Sequence, residues 1–379
     1  MNGPLHGVRV IELAGLGALP YGSLRLADMG ADIIRIERLT DVPNEPVTRP
    51  RSSWDRGRRS IGVDLKHPDG VATVLQLAAQ ADVFLESFRP GVVERLGLGP
   101  DVLLARNERV VYGRLTGWGQ TGPLALTAGH SLNYESITGV IRAIGPVGGP
   151  PVPLLQIIGD FAGGGLSLAY GVVCALLEVQ RTGKGQVVDA AMVDGATALL
   201  GPFYGMAESG MHTDQLGSNL FDGGAPFYNV YETADAKYVS VAPIEPHFYA
   251  LLIDKMGLAN EDLPQQYDRG RWPELRARFT EVFLTKTRDE WCALLEGTDA
   301  CFAPVLTFTE ARSYPHNVAR QSFVDDSTEI AVAPRLSRTP GDPRRPSPAY
   351  PGADTDTVLR EAGFTSDTIE HLRDQGAIR

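Results

Sequence analysis

The sequence predicts an α/β protein: a large domain built on a doubly wound parallel sheet, followed by a smaller α+β domain. Residues 8–13 (VRVIEL) form a short apolar run that reads as a buried strand, and residues 32–36 (DIIRI) form a second. A glycine-rich turn and a helical stretch over 21–29 lie between them. Strand, helix and strand thus follow within about 30 residues, the pattern of parallel pairing. From Phe227 the texture changes to alternation, FYNVYETADAKYVSVAPI, which reads as a hairpin turning at Ala234-Asp235-Ala236.

The remaining elements follow in order. Further strands are expected at 60–64, 83–86 and 110–114, with a helix over 69–80. Residues 117–123 (GWGQTGP) make a turn-rich loop. A long helical segment is expected from Asp160 to Gln180. Gly163, Gly164 and Gly165 fall in its opening turn and predict accessible backbone there. RTGKGQVVDAAMVDG then gives a loop, a strand and a helix. Helical patterns recur at 246–256, 272–283 and 288–295. An extended connector spans 334–351, and two short helices close the chain at 354–362 and 366–375. The expected organisation is a large domain over 1–200, a linker over 201–226, a small domain over 227–310 and a second linker over 311–335. Residues 336–379 are expected to return to the large domain.

Composition narrows the function classes. The chain has 379 residues, 43% hydrophobic and 21% charged, enough for two domains with a sizeable core. A net charge of −11 argues against nucleic acid or an anionic membrane surface as partner. Cys174, Cys292 and Cys301 are too few and too scattered for a disulfide framework or a zinc site, which fits a reducing compartment. The start, MNGPLHGVRVIEL, lacks the basic region and apolar run of a signal peptide. The longest apolar stretch, 166–177, reads as a buried helix too short to span a bilayer. The final residues, Gly-Ala-Ile-Arg, do not match a peroxisomal signal, so a cytoplasmic location is expected.

Gly15-Leu-Gly17-Ala-Leu-Pro20 comes close to a dinucleotide fingerprint, and Glu37 ends the next strand 20 residues after Gly17. Proline at the third glycine position is a poor replacement where a helix must pack closely on a strand. The stretch therefore reads as a tight turn rather than a nicotinamide site.

A basic cluster stands out in this acidic chain. Arg49, Arg51, Arg56, Arg58 and Arg59 fall within eleven residues, with Arg38 and Lys66 close by and Arg89 and Arg95 further on. Guanidinium groups suit phosphate, and cations on several loops at the strand ends of an α/β sheet suggest a phosphate-bearing ligand. A solvated loop with scattered ion pairs is the other reading.

Two residues are candidates for proton transfer. His130 follows the glycine-rich loop, and Asp160 stands at the expected start of the long helix; on pattern alone helix capping is the commoner role for such an aspartate and a structural role for a lone histidine. Removing the weakly acidic proton beside a thioester carbonyl needs a base in contact and donors that stabilise the enolate oxygen. Amides at a helix start can be such donors. Two bases on opposite faces of one carbon can invert it.

At these residues the chain resembles the alpha-methylacyl-CoA racemases, a branch of the family III CoA-transferases. The similarity runs from Leu5 to Gly376-Ala-Ile. Its blocks are TGWGQTGP (116–123), AGHSLNY (128–134), GDFAGGG (159–165), GKGQVVDAAMVDG (183–195), DGGAPFYNVYETAD (222–235), IEPHFY (244–249) and GTDACFAPVLTF (297–308). The resemblance implies a Rossmann-like large domain, an interlocked homodimer and catalysis without a metal or redox cofactor, coenzyme A being part of the substrate. It implies that His130 and Asp160 are the two bases. It also implies that Glu245, supplied by the second subunit, orients His130. Implied coenzyme A contacts are Arg38, Val63, Asp64, Leu65, Lys66, Arg89, Arg95, Gly129, Ser131, Leu132, Asn133 and Tyr134. Three positions depart from the racemase pattern: Ser131 replaces a usual aspartate, Gln156 a usual asparagine and Leu216 a frequent arginine. Two readings compete with racemisation: a CoA-transferase with Asp160 as nucleophile, and a catalytically silent CoA-binding protein.

Overall fold

The computed structural model describes residues 3–45, 47, 54–324 and 329–379. The chain divides into two compact units. One comprises residues 1–138, 154–199 and 321–379, and the other Gly139–Pro153 and Leu200–Arg320.

The first unit is built on six strands: β1 (Arg9–Leu13), β2 (Asp32–Glu37), β3 (Arg58–Gly62), β4 (Val83–Glu86), β5 (Val111–Thr116) and β6 (Val187–Ala191). They pair in the order β3-β2-β1-β4-β5-β6, parallel throughout, with Val10 opposite Ile33 on one side and Val83 on the other. The strands are apolar on both faces because both are covered. Ile11, Leu13, Ile34, Ile36, Phe84 and Tyr112 face the helix Pro68–Ala78 and the closing helices Thr355–Glu361 and Ser366–Asp374. Val10, Ile33, Val83, Leu85 and Val111 face the helix Ala18–Asp28 and the helix Ser167–Thr182. The chain turns from β1 outward to β2 and β3, then back to β4 beside β1. This makes the β1/β4 boundary the switch point, the place where open parallel sheets of this kind bind ligands beyond the carboxyl ends of their strands.

Most expected elements appear within a few residues of their predicted limits. The helix after β1 begins earlier than expected, at Ala18, with Pro20 inside its first turn, where backbone N–H groups lack an intrahelical partner in any case. The long helical segment also differs. It opens as a π-helix over Ile157–Leu166 and continues as an α-helix over Ser167–Thr182. The combined run of 26 residues is long and apolar enough, by length and composition alone, to cross a membrane, contrary to the reading of a shorter stretch. Its sheet side is core: Leu168, Val172, Ala175 and Val179 are buried. Its other side carries exposed Leu166, Tyr170, Val173 and Leu177, so the segment is not the wholly buried helix expected from composition. Gly163–Gly165 are buried rather than accessible. A Cβ on Gly163 would stand 2.6 Å from the Ala196 nitrogen, and one on Gly165 would stand 2.5 Å from the Ala18 oxygen. These glycines let two helices press against the π-helical backbone.

The basic cluster is corrected in the same way. Arg58 is enclosed and bonded to Glu12 (2.9 Å), Ser23 and the Pro20 carbonyl. Arg56 pairs with Asp28 and Glu329, and Arg59 with Asp32 and Glu361. All three hold the sheet to its surroundings and leave no fork for a phosphate. Arg49 and Arg51 lie outside the described residues.

The second unit contains the predicted hairpin, β7 (Asn229–Glu232) and β8 (Tyr238–Val241), with Ala236 in the turn at φ 54°. A third strand, β9 (Phe302–Val305), pairs antiparallel with β8. It escaped the sequence reading because Pro304 interrupts a run of only four residues. Trp291, Phe279, Phe283 and Tyr231 pack beneath this sheet, with the helices Trp272–Phe283 and Arg288–Leu295 at their expected limits.

Candidate active site

The loops following β1, β4 and β5 and the π-helix meet at the switch point. The loop after β1 reaches Gly17, whose φ of 65° suits glycine. A Cβ there would stand 2.9 Å from Asp160 Oδ2, so this turn and the Asp160 carboxyl are in contact range. Asp160 thus occupies the ground that a pyrophosphate would need on a dinucleotide fingerprint. In the loop after β5, Gly117 lies flat against Tyr134, since a Cβ would overlap that ring at 1.9 Å. Trp118 meets the same ring edge to face at 4.7 Å. The Tyr134 hydroxyl donates to the Gly129 carbonyl, which closes the loop leading to His130.

His130 is the exposed residue preceding the short helix Ser131–Ser136, and its backbone N–H donates to Asn133 Oδ1 at 3.0 Å. Asp160 is the fourth residue of the π-helix rather than its cap. The capping position belongs to Gln156, at φ 62°, preceded by Leu155 at φ 55°. Two successive non-glycine residues in the left-handed region cost about 1–3 kcal/mol each, and such strain collects at functional sites. Here it turns the chain into the π-helix, itself a geometry frequent at such sites. Neither feature has a signature in the sequence.

Burial raises the Asp160 pKa above the ordinary aspartate value, the nearby Glu135 carboxylate adds to the rise, and Ser131 and His130 oppose it. Burial also raises that of Tyr134, helped by Asp160 and opposed by Arg89. His130, Asp160, Tyr134 and Arg89 therefore share one electrostatic neighbourhood. Glu135 is the participant that sequence reasoning missed. A glutamate one turn along a short helix gives no sign of being 1% exposed.

The Gly159 and Asp160 amides at the helix start are not free donors, contrary to expectation. The Gly159 N–H donates to Glu135 Oε1 at 2.7 Å and the Asp160 N–H to Ser131 Oγ at 3.1 Å.

The residues implied as coenzyme A contacts fall into two groups. Arg38, Lys66 and Arg89 follow β2, β3 and β4, all at the carboxyl edge of the parallel sheet, and Arg95 ends the short helix Val92–Arg95. These four cations are exposed and, among the described residues, make no ion pair. Leu132 and Asn133 are exposed as well. The others are engaged internally. Val63 is fully buried, with its amide on the Glu37 carbonyl. Asp64 accepts from the Lys66 N–H at 2.9 Å, and Leu65 packs against the core. The Ser131 hydroxyl points inward to Glu135 at 2.9 Å. In the second unit, Glu245 precedes the helix Pro246–Lys255, exposed and with no hydrogen bond to its carboxylate among the described residues.

Comparison with known proteins agrees with this architecture. Residues 5–355 match the family described as CoA-transferase family III. The chain is 44% identical over 371 residues to the alpha-methylacyl-CoA racemase of Mus musculus, covering 97% of this chain and 96% of that protein. It is 42% identical to the alpha-methylacyl-CoA racemase of Homo sapiens, with the same coverage. A CAIB/BAIF family protein from Brucella suis has the same fold, with a TM-score of 0.80 at 24% identity over 96% of this chain and all of that one.

Proposed function

The chain belongs to CoA-transferase family III, and from that premise we propose that it is an alpha-methylacyl-CoA racemase, an isomerase that inverts the alpha carbon of 2-methylacyl-CoA thioesters. The observation that carries this reading is Asp160, a half-buried carboxyl with a raised pKa that shares its electrostatic surroundings with His130 at the sheet's switch point. Two groups of different basicity in one electrostatic neighbourhood suit removal of a proton from one face and return to the other.

In this mechanism one of the two side chains starts as base and the other as acid. When Asp160 takes the alpha proton, the protonated imidazole of His130 stands close to the forming enolate and stabilises its charge. His130 then delivers its proton to the opposite face. The reverse direction exchanges the roles. Because the Gly159 and Asp160 amides are engaged, they contribute by holding Asp160 rather than by binding the oxyanion. Arg38, Lys66, Arg89 and Arg95 supply charge for the phosphates of coenzyme A. No metal or redox cofactor enters any step.

The protein acts as an interlocked homodimer in the cytoplasm, with Glu245 of one subunit orienting His130 of the other. The exposed apolar side of the 157–182 segment supports burial against a second copy. The test is proton exchange in heavy water on a panel of acyl-CoA thioesters. Inversion coupled to deuterium uptake at the alpha carbon is expected. His130→Ala and Asp160→Ala should each lower inversion by about 100-fold or more with coenzyme A binding retained. A mass increase on Asp160 after incubation with acyl-CoA, without exchange, would instead establish acyl transfer.

A further inference from the structure

We infer that Glu135 is a positioning residue for the reaction proposed above, on which this inference rests: through its own oxygen and through Ser131 it clamps the Gly159–Asp160 backbone and fixes where the Asp160 carboxyl is presented. Glu135 Oε1 accepts from the Gly159 N–H at 2.7 Å and from the Ser131 hydroxyl at 2.9 Å, and Ser131 Oγ accepts from the Asp160 N–H at 3.1 Å. One carboxylate thus holds two successive amides of the π-helix, one directly and one through a hydroxyl. Residue 159 must be glycine for this to work: a Cβ there would lie 2.5 Å from Ser131 Oγ and 2.9 Å from Glu135 Oε1.

The placement is costly for the fold alone. Glu135 is 1% exposed and, among the described residues, has no ion-pair partner. A buried carboxylate without a cation is unfavourable unless something else requires it. What its charge faces is Asp160, whose proton it helps to retain, with His130 acting in the opposite sense. The arrangement therefore sets both the position and the proton affinity of one base while leaving the other untouched. Ser131, which departs from the racemase pattern, is the bridge of the clamp and not a loss of polar contact.

Because the clamp touches only one of the two bases, its removal has a face-specific consequence. Each epimer of a 2-methylacyl-CoA is incubated separately in heavy water, and inversion and deuterium uptake are followed in parallel. In Glu135→Leu, inversion is expected to fall by up to about 100-fold, as for a displaced catalytic group. KM should stay within about twofold, because no ligand contact is altered. The epimer deprotonated by His130 should still exchange its alpha proton with retention of configuration. Glu135→Gln, which keeps an acceptor at the same place, should recover most of the inversion rate. If Glu135→Leu does not accumulate as folded protein, Ser131→Ala removes the bridge to Asp160 and keeps the direct bond to Gly159, and should give a smaller split between inversion and exchange in the same direction. Wild-type inversion in Glu135→Leu would overturn the inference. So would loss of inversion and exchange together on both epimers in the Leu and Gln variants alike. A wild-type protein that exchanges no alpha proton removes the racemase reading itself, and this inference with it.

Discussion

A single carboxyl, Asp160, gathers three constraints: contact range with Gly17, the charge of Glu135 and the opposing charge of His130. The contact makes one expectation and the two charges together a second. Gly17→Ala places a methyl group 2.9 Å from Asp160 Oδ2 at a φ of 65°. It should cost about 1–2 kcal/mol of stability and lower inversion more than coenzyme A affinity, measured by urea unfolding beside isotope exchange. The raised Asp160 pKa has a definite sign. In the direction where Asp160 is the base it must be deprotonated, so the acid limb of kcat/KM should lie above the ordinary aspartate value of about 3.9. An acid limb at or below that value would contradict the raised pKa. In the proposed reading Arg38 and Arg89 act on the far end of the ligand. Arg38→Ala should raise KM and leave kcat nearly unchanged, as expected for binding energy shared equally by ground and transition states.

At the scale of elements, buried arginines hold the sheet together. Glu12 and Arg58 are both fully enclosed, 2.9 Å apart. Burial alone would raise the Glu12 pKa, but Arg58 and Arg35 beside it, with a hydrogen bond from Ser23, bring it below the ordinary value. A carboxylate held lower in the folded than in the unfolded chain adds stability above the unfolded pKa. That stability is lost as pH falls through the folded one. Removing one partner leaves the other buried and unpaired, so Arg58→Met should cost about 3–5 kcal/mol at neutral pH. The cost should shrink on acidification, as measured by denaturant unfolding at two pH values. This network also marks how far sequence reading reaches. The strands and the helices of the second unit were legible because apolar period and length report burial directly. A cluster such as RGRR reports only charge, and whether an arginine faces solvent or Glu12 depends on residues 46 positions away. The π-helix was illegible for a related reason: its entry rests on left-handed Leu155 and Gln156, residue types that carry no preference for that conformation.

For the whole molecule, the proposed homodimer with shared active sites predicts complementation. When His130→Ala and Glu245→Gln chains are co-expressed with different tags, the doubly tagged dimer contains one site with both residues intact if Glu245 acts across the interface. Its inversion rate should approach half that of wild type, well above either variant alone. If both residues act within one chain, no intact site forms and no recovery is seen. The candidate site residues are legible only through their motif blocks, because the two candidate bases are 30 positions apart and no periodicity links them. The way Glu135 and Ser131 hold the Gly159–Asp160 backbone is visible only in the packed structure.

One edge of the six-stranded sheet is β3, and the last residues of the chain cover Gly62–Asp64 at its carboxyl end. Val63 bridges to Ile378, the Asp64 N–H donates to the Ala377 carbonyl, and the Arg379 N–H donates to the Gly62 carbonyl. An open strand edge is a template for association with other chains. Deleting residues 377–379 should therefore open that end of the edge to association, detectable by light scattering, while the middle of β3 stays covered through Ser60 and Asp354. It should also loosen the turn that carries Lys66, so a purification handle is better attached at the opposite terminus.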